Sequence, residues 1–172
     1  MNWMRRALEA RVAVWAVVIT AAAMGLAACA TRPLVLPQSY PVPCIWPTPS
    51  AARVITSNYG AQRSAGGGAS RFHKGIDISA PKGCPIYATA DGFVARTDRD
   101  RRGYGKYVIV NHAGGYSTLY AHLSETRVKT GAWVRAGQVV GEAGQTGNAT
   151  GAHLHYEVRR YGEAVDPRPF LP

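Results

Sequence analysis

Acidic residues are scarce in this 172-residue chain: ten Asp and Glu stand against twenty Lys and Arg, a formal charge of +10. Arg5, Arg6 and Arg11 against Glu9 put +2 of that charge in the first 28 residues and leave +8 on the rest. Such an excess favours an anionic partner, whether nucleic acid, a membrane surface or a cell-wall polymer. Nucleic acid has no support beyond the charge, since the chain carries neither a helix-turn-helix nor an aromatic-interleaved RNA motif. Beyond residue 30 no stretch of useful length has a helical period, which excludes a helical bundle. With 47% hydrophobic and 17% charged residues, the chain is neither disordered nor collagen-like. Its length allows one domain with a buried core, plus attached segments.

There is one long apolar run, the 17 uncharged residues 12–28, and Arg5, Arg6 and Arg11 precede it. A basic start, an apolar stretch and small residues after it make an export signal; a buried helix is the alternative reading. The run falls just short of the ~18 residues of a membrane span. The residues around Arg5-Arg6 do not support a twin-arginine signal. The end of the run, Leu26-Ala27-Ala28-Cys29, resembles a bacterial lipoprotein signal, in which Cys29 becomes the lipidated first residue of the mature chain. Ala30 resembles the residue found after that Cys in lipoproteins sorted to an outer membrane. The resemblance implies an exported lipoprotein, anchored through Cys29 in the outer membrane and facing the periplasm. Stable anchoring then needs more than one acyl chain.

Six of the eleven prolines lie between Pro33 and Pro49. Proline-rich chain prefers extended polyproline geometry, so residues 29–52 read as a semi-rigid linker reaching up to roughly 75 Å. Residues 53–172 then form the domain. With Cys29 assigned to lipid, Cys44 and Cys84 remain. In an exported chain these two thiols either form one disulfide that pins the linker to the domain or stay free.

From residue 53 onward, short β-patterned stretches alternate with glycine-rich turns: 92–95, 107–110, 116–120, 138–140 and 153–158. The fold class is therefore all-β, in a single domain. The segment 96–106 between two of these stretches carries Arg96, Arg99, Arg101, Arg102 and Lys106. It reads first as a solvated hairpin tip and second as a rim that attracts carboxylates or phosphates.

All five histidines follow residue 72: His73, His112, His122, His153 and His155. On a strand, residues two apart share a face, so His153, His155 and Glu157 point together while Leu154, Tyr156 and Val158 point the other way. Two imidazoles on one face, joined by His73 and Asp77, suggest a nitrogen-and-oxygen metal site of the kind that suits Zn2+. A catalytic zinc uses three protein ligands. Four or five candidates for three positions leave some histidines for other work.

The text Phe72-His73-Lys74-Gly75-Ile76-Asp77-Ile78, then Tyr116-Ser117-Thr118-Leu119-Tyr120-Ala121-His122-Leu123, then Gly137-Gln138-Val139-Val140-Gly141, ends in Gly151-Ala152-His153-Leu154-His155-Tyr156-Glu157-Val158. It resembles the LytM/lysostaphin family of zinc endopeptidases, which cut peptide bonds in bacterial peptidoglycan, over residues 57–167. The resemblance implies an antiparallel β-sheet domain of the duplicated hybrid motif kind, with a long substrate groove. It implies zinc on His73, Asp77 and His155, and catalytic roles for His122 and His153. It also implies a basic substrate-binding position at Arg63. Glu157 either orients a metal-bound imidazole or is a plain surface strand residue, and His112 is structural or lines the groove. Cys84 has no catalytic part.

The activity so implied is zinc-dependent hydrolysis of stem-peptide or cross-link bonds in peptidoglycan. The partners are peptidoglycan and a membrane reached through the lipid anchor, not nucleic acid. The alternative is a non-catalytic module that binds the wall or activates a cell-wall amidase. That reading goes with a degenerate metal set, whereas all five positions are intact here. A biotinyl or lipoyl carrier is the third reading, from the glycine rhythm of residues 128–144, but no lysine follows Lys129 to be modified. The positive charge would draw the domain to wall carboxylates within about one Debye length, ~8 Å at physiological salt.

Overall fold

The computed structural model describes residues 39–62 and 72–172. The export signal, Cys29 and Arg63 lie outside the described residues. The described residues belong to one compact unit, Ser39–Pro172.

Among the described residues there are eleven strands. They are β1 (Ile55–Ser57), β2 (Ile76–Ser79), β3 (Pro85–Tyr87), β4 (Gly92–Asp100), β5 (Gly105–Asn111), β6 (Tyr116–Leu123), β7 (Glu125–Thr126), β8 (Trp133–Val134), β9 (Val139–Glu142), β10 (His153–Arg160) and β11 (Glu163–Val165). The large sheet runs β1-β2-β10-β6-β5-β4-β8 with β11 beside β10, and the small sheet runs β3-β9-β7. Every pairing is antiparallel.

Alternation along the strands gives the large sheet two unlike faces. Ile76, Ile78, Leu154, Tyr156, Val158, Tyr120, Val108, Val110 and Val94 point to one side and pack with Ile86 and Val140 of the small sheet. Each is at most 1% exposed, so each contributes about 1.5–3 kcal/mol of burial, and together they account for most of the core. The other face carries Tyr107, Leu119 and Ala121 in a second, smaller cluster. Asp77, His155 and Glu157 stand on that second face, between the core residues of their own strands.

The five stretches read from the sequence are all strands, and most run further than the alternation indicated. The charged segment 96–106 is an exposed hairpin tip, as its first reading had it, but with little irregular chain: β4 continues to Asp100 and β5 starts at Gly105, so the turn is confined to residues 101–104. Cross-strand pairs such as Asp98 with Tyr107 and Arg99 with Lys106 carry the ladder outward. Backbone pairing and the tyrosine offset the weak strand propensity of the charges.

A second difference concerns the linker. Residues 39–52 are tied to the domain: the Cys44 amide donates to the Thr89 carbonyl, the Tyr87 amide to Pro47, and the Asp91 amide to Tyr40. The Trp46 indole donates to the Pro172 carbonyl, and Thr48 is buried. The described part of the linker, residues 39–52, thus gains hydrogen bonds to the domain instead of remaining fully solvated. Both thiols are free. Cys44 lies opposite Thr89, five residues along the chain from Cys84. That is about 16 Å of extended backbone, beyond the ~7 Å between Cα atoms that a disulfide spans.

Candidate metal centre

Asp77 occupies the middle of Ile76-Asp77-Ile78, so the burial of its two neighbours forces its carboxylate onto the free face. His155 pairs directly with Asp77 across the β2–β10 ladder. His73 comes from the segment just before β2. Gly75 lets that segment press against β10, because a Cβ there would overlap the Tyr156 carbonyl.

These three residues put one atom each at a common point. His73 Nε2 is 3.1 Å from Asp77 Oδ1, His155 Nδ1 is 2.9 Å from the same oxygen, and the two nitrogens are 3.0 Å apart. The far side of each ring fixes what these atoms carry. His73 Nδ1 lies 2.8 Å from the Asn58 carbonyl, which only accepts, so this nitrogen holds the hydrogen. His155 Nε2 donates to Glu157 Oε1 at 3.0 Å. In the neutral rings, two nitrogen lone pairs and a carboxylate oxygen therefore converge. Three acceptors this close repel one another unless positive charge stands among them.

The titration tendencies agree. Burial works against the Asp77 charge, but the His155 and His73 rings, which favour the carboxylate whenever they carry positive charge, outweigh it and hold the carboxyl far below the usual range. Burial likewise opposes protonation of His155, yet its bonds to Asp77 and Glu157 raise its pKa. The cluster attracts a cation, and two imidazole nitrogens with one carboxylate oxygen are a set that suits Zn2+. Tetrahedral bonds of 2.0–2.2 Å would separate ligand atoms by ~3.3 Å, which the observed triangle reaches with a small expansion.

His122 arrives by a different route. Strict alternation after Ala121 would turn it into the core beside Tyr120. Its backbone is instead left-handed, with φ of 61°, and β6 advances three residues from Tyr120 to Leu123 while β5 advances two. This bulge re-aims the histidine to the free face and returns Leu123 to the core. Left-handed backbone costs a non-glycine residue about 1–2 kcal/mol. The Tyr104 carbonyl, which accepts from the His122 amide at 2.8 Å, helps to hold it.

The His122 ring lies 4.7 Å from that of His153 and 5.8 Å from that of His155. His122 Nδ1 donates to the Thr146 carbonyl at 2.8 Å, and His153 Nδ1 donates to the Gly151 carbonyl at 2.9 Å. Both rings therefore keep Nε2 as an unprotonated acceptor when neutral, and His153 Nε2 stands 3.8 Å from Asp77 Oδ1. Burial, aided by the neighbouring histidines, lowers the His122 pKa to about 4.

The sequence left Glu157 between two roles, and its surroundings decide the matter. It is 0% exposed, and its carboxylate accepts from His155, from the Tyr104 hydroxyl at 2.7 Å and from Arg159 Nε at 2.8 Å. Burial opposes its charge, but His155 and Arg159 outweigh that and lower its pKa. Tyr104 and Arg159 escaped the sequence reading. Arg159 was within reach of it, because it stands two residues beyond Glu157 and so shares its face. Tyr104 gave no such signal, since it is the last residue of the charged turn and meets Glu157 only across the sheet. His112 is remote from this group: its ring bonds to the Asp91 carbonyl and to Thr118 Oγ1.

Comparisons with known proteins concern the domain as a whole. Residues 71–167 match Peptidase family M23. The chain is 50% identical over 97 residues to the DD-carboxypeptidase/endopeptidase Mpg of Neisseria meningitidis, covering 56% of this chain and 22% of Mpg. It is 40% identical over 127 residues to the murein hydrolase activator NlpD of Salmonella typhimurium, covering 74% of this chain and 31% of NlpD. The chain thus spans less than a third of the length of either relative. Among solved structures, a zinc-containing peptidase from Vibrio cholerae superposes with a TM-score of 0.67 at 35% identity, over 75% of this chain and 39% of that one.

Proposed function

The chain belongs to Peptidase family M23, and from that premise we propose that it is a zinc endopeptidase that hydrolyses peptide bonds in the stems or cross-links of peptidoglycan. The observation that carries this reading is the convergence of His73 Nε2, Asp77 Oδ1 and His155 Nδ1 on one point, with two further imidazoles beside them. Those three atoms would hold the ion. Bound there, zinc supplies Lewis acidity that polarises the scissile carbonyl and lowers the pKa of water toward ~7.

The remaining steps belong to the protein. His122 is neutral at pH 7, given its lowered pKa, so its Nε2 lone pair is free to take a proton. His153 is locked in the same tautomer by the Gly151 carbonyl. Between them the pair accepts the proton of the attacking water and returns one to the leaving amine. Such positioned acid–base groups contribute about 10²–10⁴-fold. Arg63 serves as a further contact for substrate, and Cys29 as the lipid anchor that keeps the domain at the outer membrane, facing the periplasm.

The test is mass spectrometry of cross-linked muropeptides incubated with the purified chain, with and without a chelator. Chelator-sensitive conversion of dimers to monomers supports the proposal and identifies the bond. Similarity to NlpD favours a second reading, an activator of a cell-wall amidase. Intact dimers together with stimulated amidase turnover would move the assignment there.

A further inference from the structure

Phe93 and Trp133 are the large aromatic side chains left exposed on the β4–β8 edge, at 56% and 52%. They are directly paired across the two strands, with ring centroids 4.6 Å apart and planes nearly perpendicular. Their following residues, Val94 and Val134, are in the core, so both rings stand on the free face, the same one that carries Asp77, His155 and Glu157. Register extends this row across the sheet: Trp133 pairs with Phe93, Phe93 with Asn111, Asn111 with Ser117, and Ser117 with Arg159. The Asn111 side-chain amide and the Ser117 hydroxyl have no hydrogen-bond partner among the described residues. An exposed aromatic pair flanked by an uncommitted amide and hydroxyl offers what an amino sugar takes: an apolar platform for its C–H face, and hydrogen-bonding groups for its N-acetyl and hydroxyl substituents.

The spacing from the metal centre fits as well. Phe93 lies three strands from β10, about 14 Å, and its row crosses β10 four residues beyond His155, about 13 Å. The diagonal is about 19 Å. An extended stem peptide of about four residues spans ~14 Å, and the lactyl ether that joins it to the glycan adds a few ångström. On the reading that the site cuts peptidoglycan, we infer that Phe93 and Trp133, with Asn111 and Ser117, form a subsite for the amino-sugar backbone to which the cleaved peptide is attached. The site would then select for glycan-linked over free peptide.

The test compares two substrates for the full chain: a cross-linked muropeptide dimer carrying its disaccharides, and the same dimer stripped of sugar by an amidase. The sugar-bearing dimer should have a kcat/KM higher by about tenfold, the scale of one aromatic anchor, expressed in KM. Trp133→Ala and Phe93→Ala should erase that preference and leave turnover of the stripped dimer unchanged, which also reports that the variants fold. Equal use of both dimers by the unaltered chain, or an equal loss on both in the variants, overturns the inference. If neither dimer is cut, the peptidase reading fails separately, and binding of an N-acetylglucosamine tetramer decides the subsite. Fluorescence quenching that disappears in Trp133→Ala upholds it, and no quenching overturns it. Self-association in sedimentation that Trp133→Ala abolishes, with the sugar preference untouched, assigns the surface to a second copy and overturns it too.

Discussion

Replacing Glu157 with Gln keeps the side-chain volume and removes one charge from a group with no access to water. The native carboxylate accepts on both oxygens: Oε1 from His155 and Tyr104, Oε2 from Arg159. Gln offers one accepting oxygen and one donating NH2. With the oxygen toward His155, the NH2 faces the Arg159 guanidinium, donor against donor. With the amide reversed, the NH2 faces His155 Nε2, which must then give up its hydrogen. That moves the hydrogen to Nδ1, the atom aimed at Asp77 and His73, and leaves it unable to ligate. Hydrogen bonds to charged groups are worth about 1.5–3 kcal/mol; Arg159 keeps 26% side-chain exposure and recovers part of its loss in water. The expected cost is about 2 kcal/mol in stability. Zinc affinity should fall about 10–100-fold, the usual consequence of losing a partner that orients a ligating imidazole. Urea unfolding of the metal-free chain and competition with a chromogenic zinc chelator measure the two separately. Unchanged zinc affinity in a folded Glu157→Gln chain would refute the argument that Glu157 sets the His155 tautomer.

Further outcomes follow from other parts of the molecule. His73→Ala, Asp77→Ala and His155→Ala should each lose zinc and activity together, whereas His122→Ala and His153→Ala should keep zinc and lose about 10²–10⁴-fold in turnover; metal analysis of all five distinguishes the groups. His112 has a lowered pKa, chiefly from burial. Between its folded pKa and ~6.5 the unfolded chain binds the additional proton, so this residue's contribution to stability falls as the pH drops below ~6.5, by up to about 1.4 kcal/mol per unit. His112→Gln should flatten that part of the profile in urea titrations. Thr89→Val removes the hydroxyl shared by the buried Tyr120 and Tyr156 and should cost about 1–3 kcal/mol, read from the urea midpoint. Because both thiols are free, a reductant should leave the melting temperature unchanged.

Much of this fold was legible because one rule governs it. In Ile76-Asp77-Ile78 and in His153-Leu154-His155-Tyr156-Glu157-Val158, polar and apolar residues alternate, and alternation on a strand is a statement about faces. The same rule hid other features. How far the strands run into the charged residues 96–100 was not legible, because both faces of an outlying hairpin are solvated and no apolar period marks it. The strands β7 and β8 are two residues long, too short for any period. His122 breaks the rule outright, since its bulge and left-handed backbone exist only in relation to β5.

Chemistry and order, then, were written in the chain: which histidines, which aspartate, and that His153, His155 and Glu157 share one face of their strand. Only the tertiary structure decided their geometry. His73 and His155 are 82 residues apart in sequence and meet because β2 and β10 pair in one register. The tautomer of each imidazole depends on carbonyls of Asn58, Thr146 and Gly151 that no side-chain pattern reveals. Alternation is local, a property of neighbouring residues, whereas the direction of a lone pair depends on what lies across the ring, and distant segments supply that.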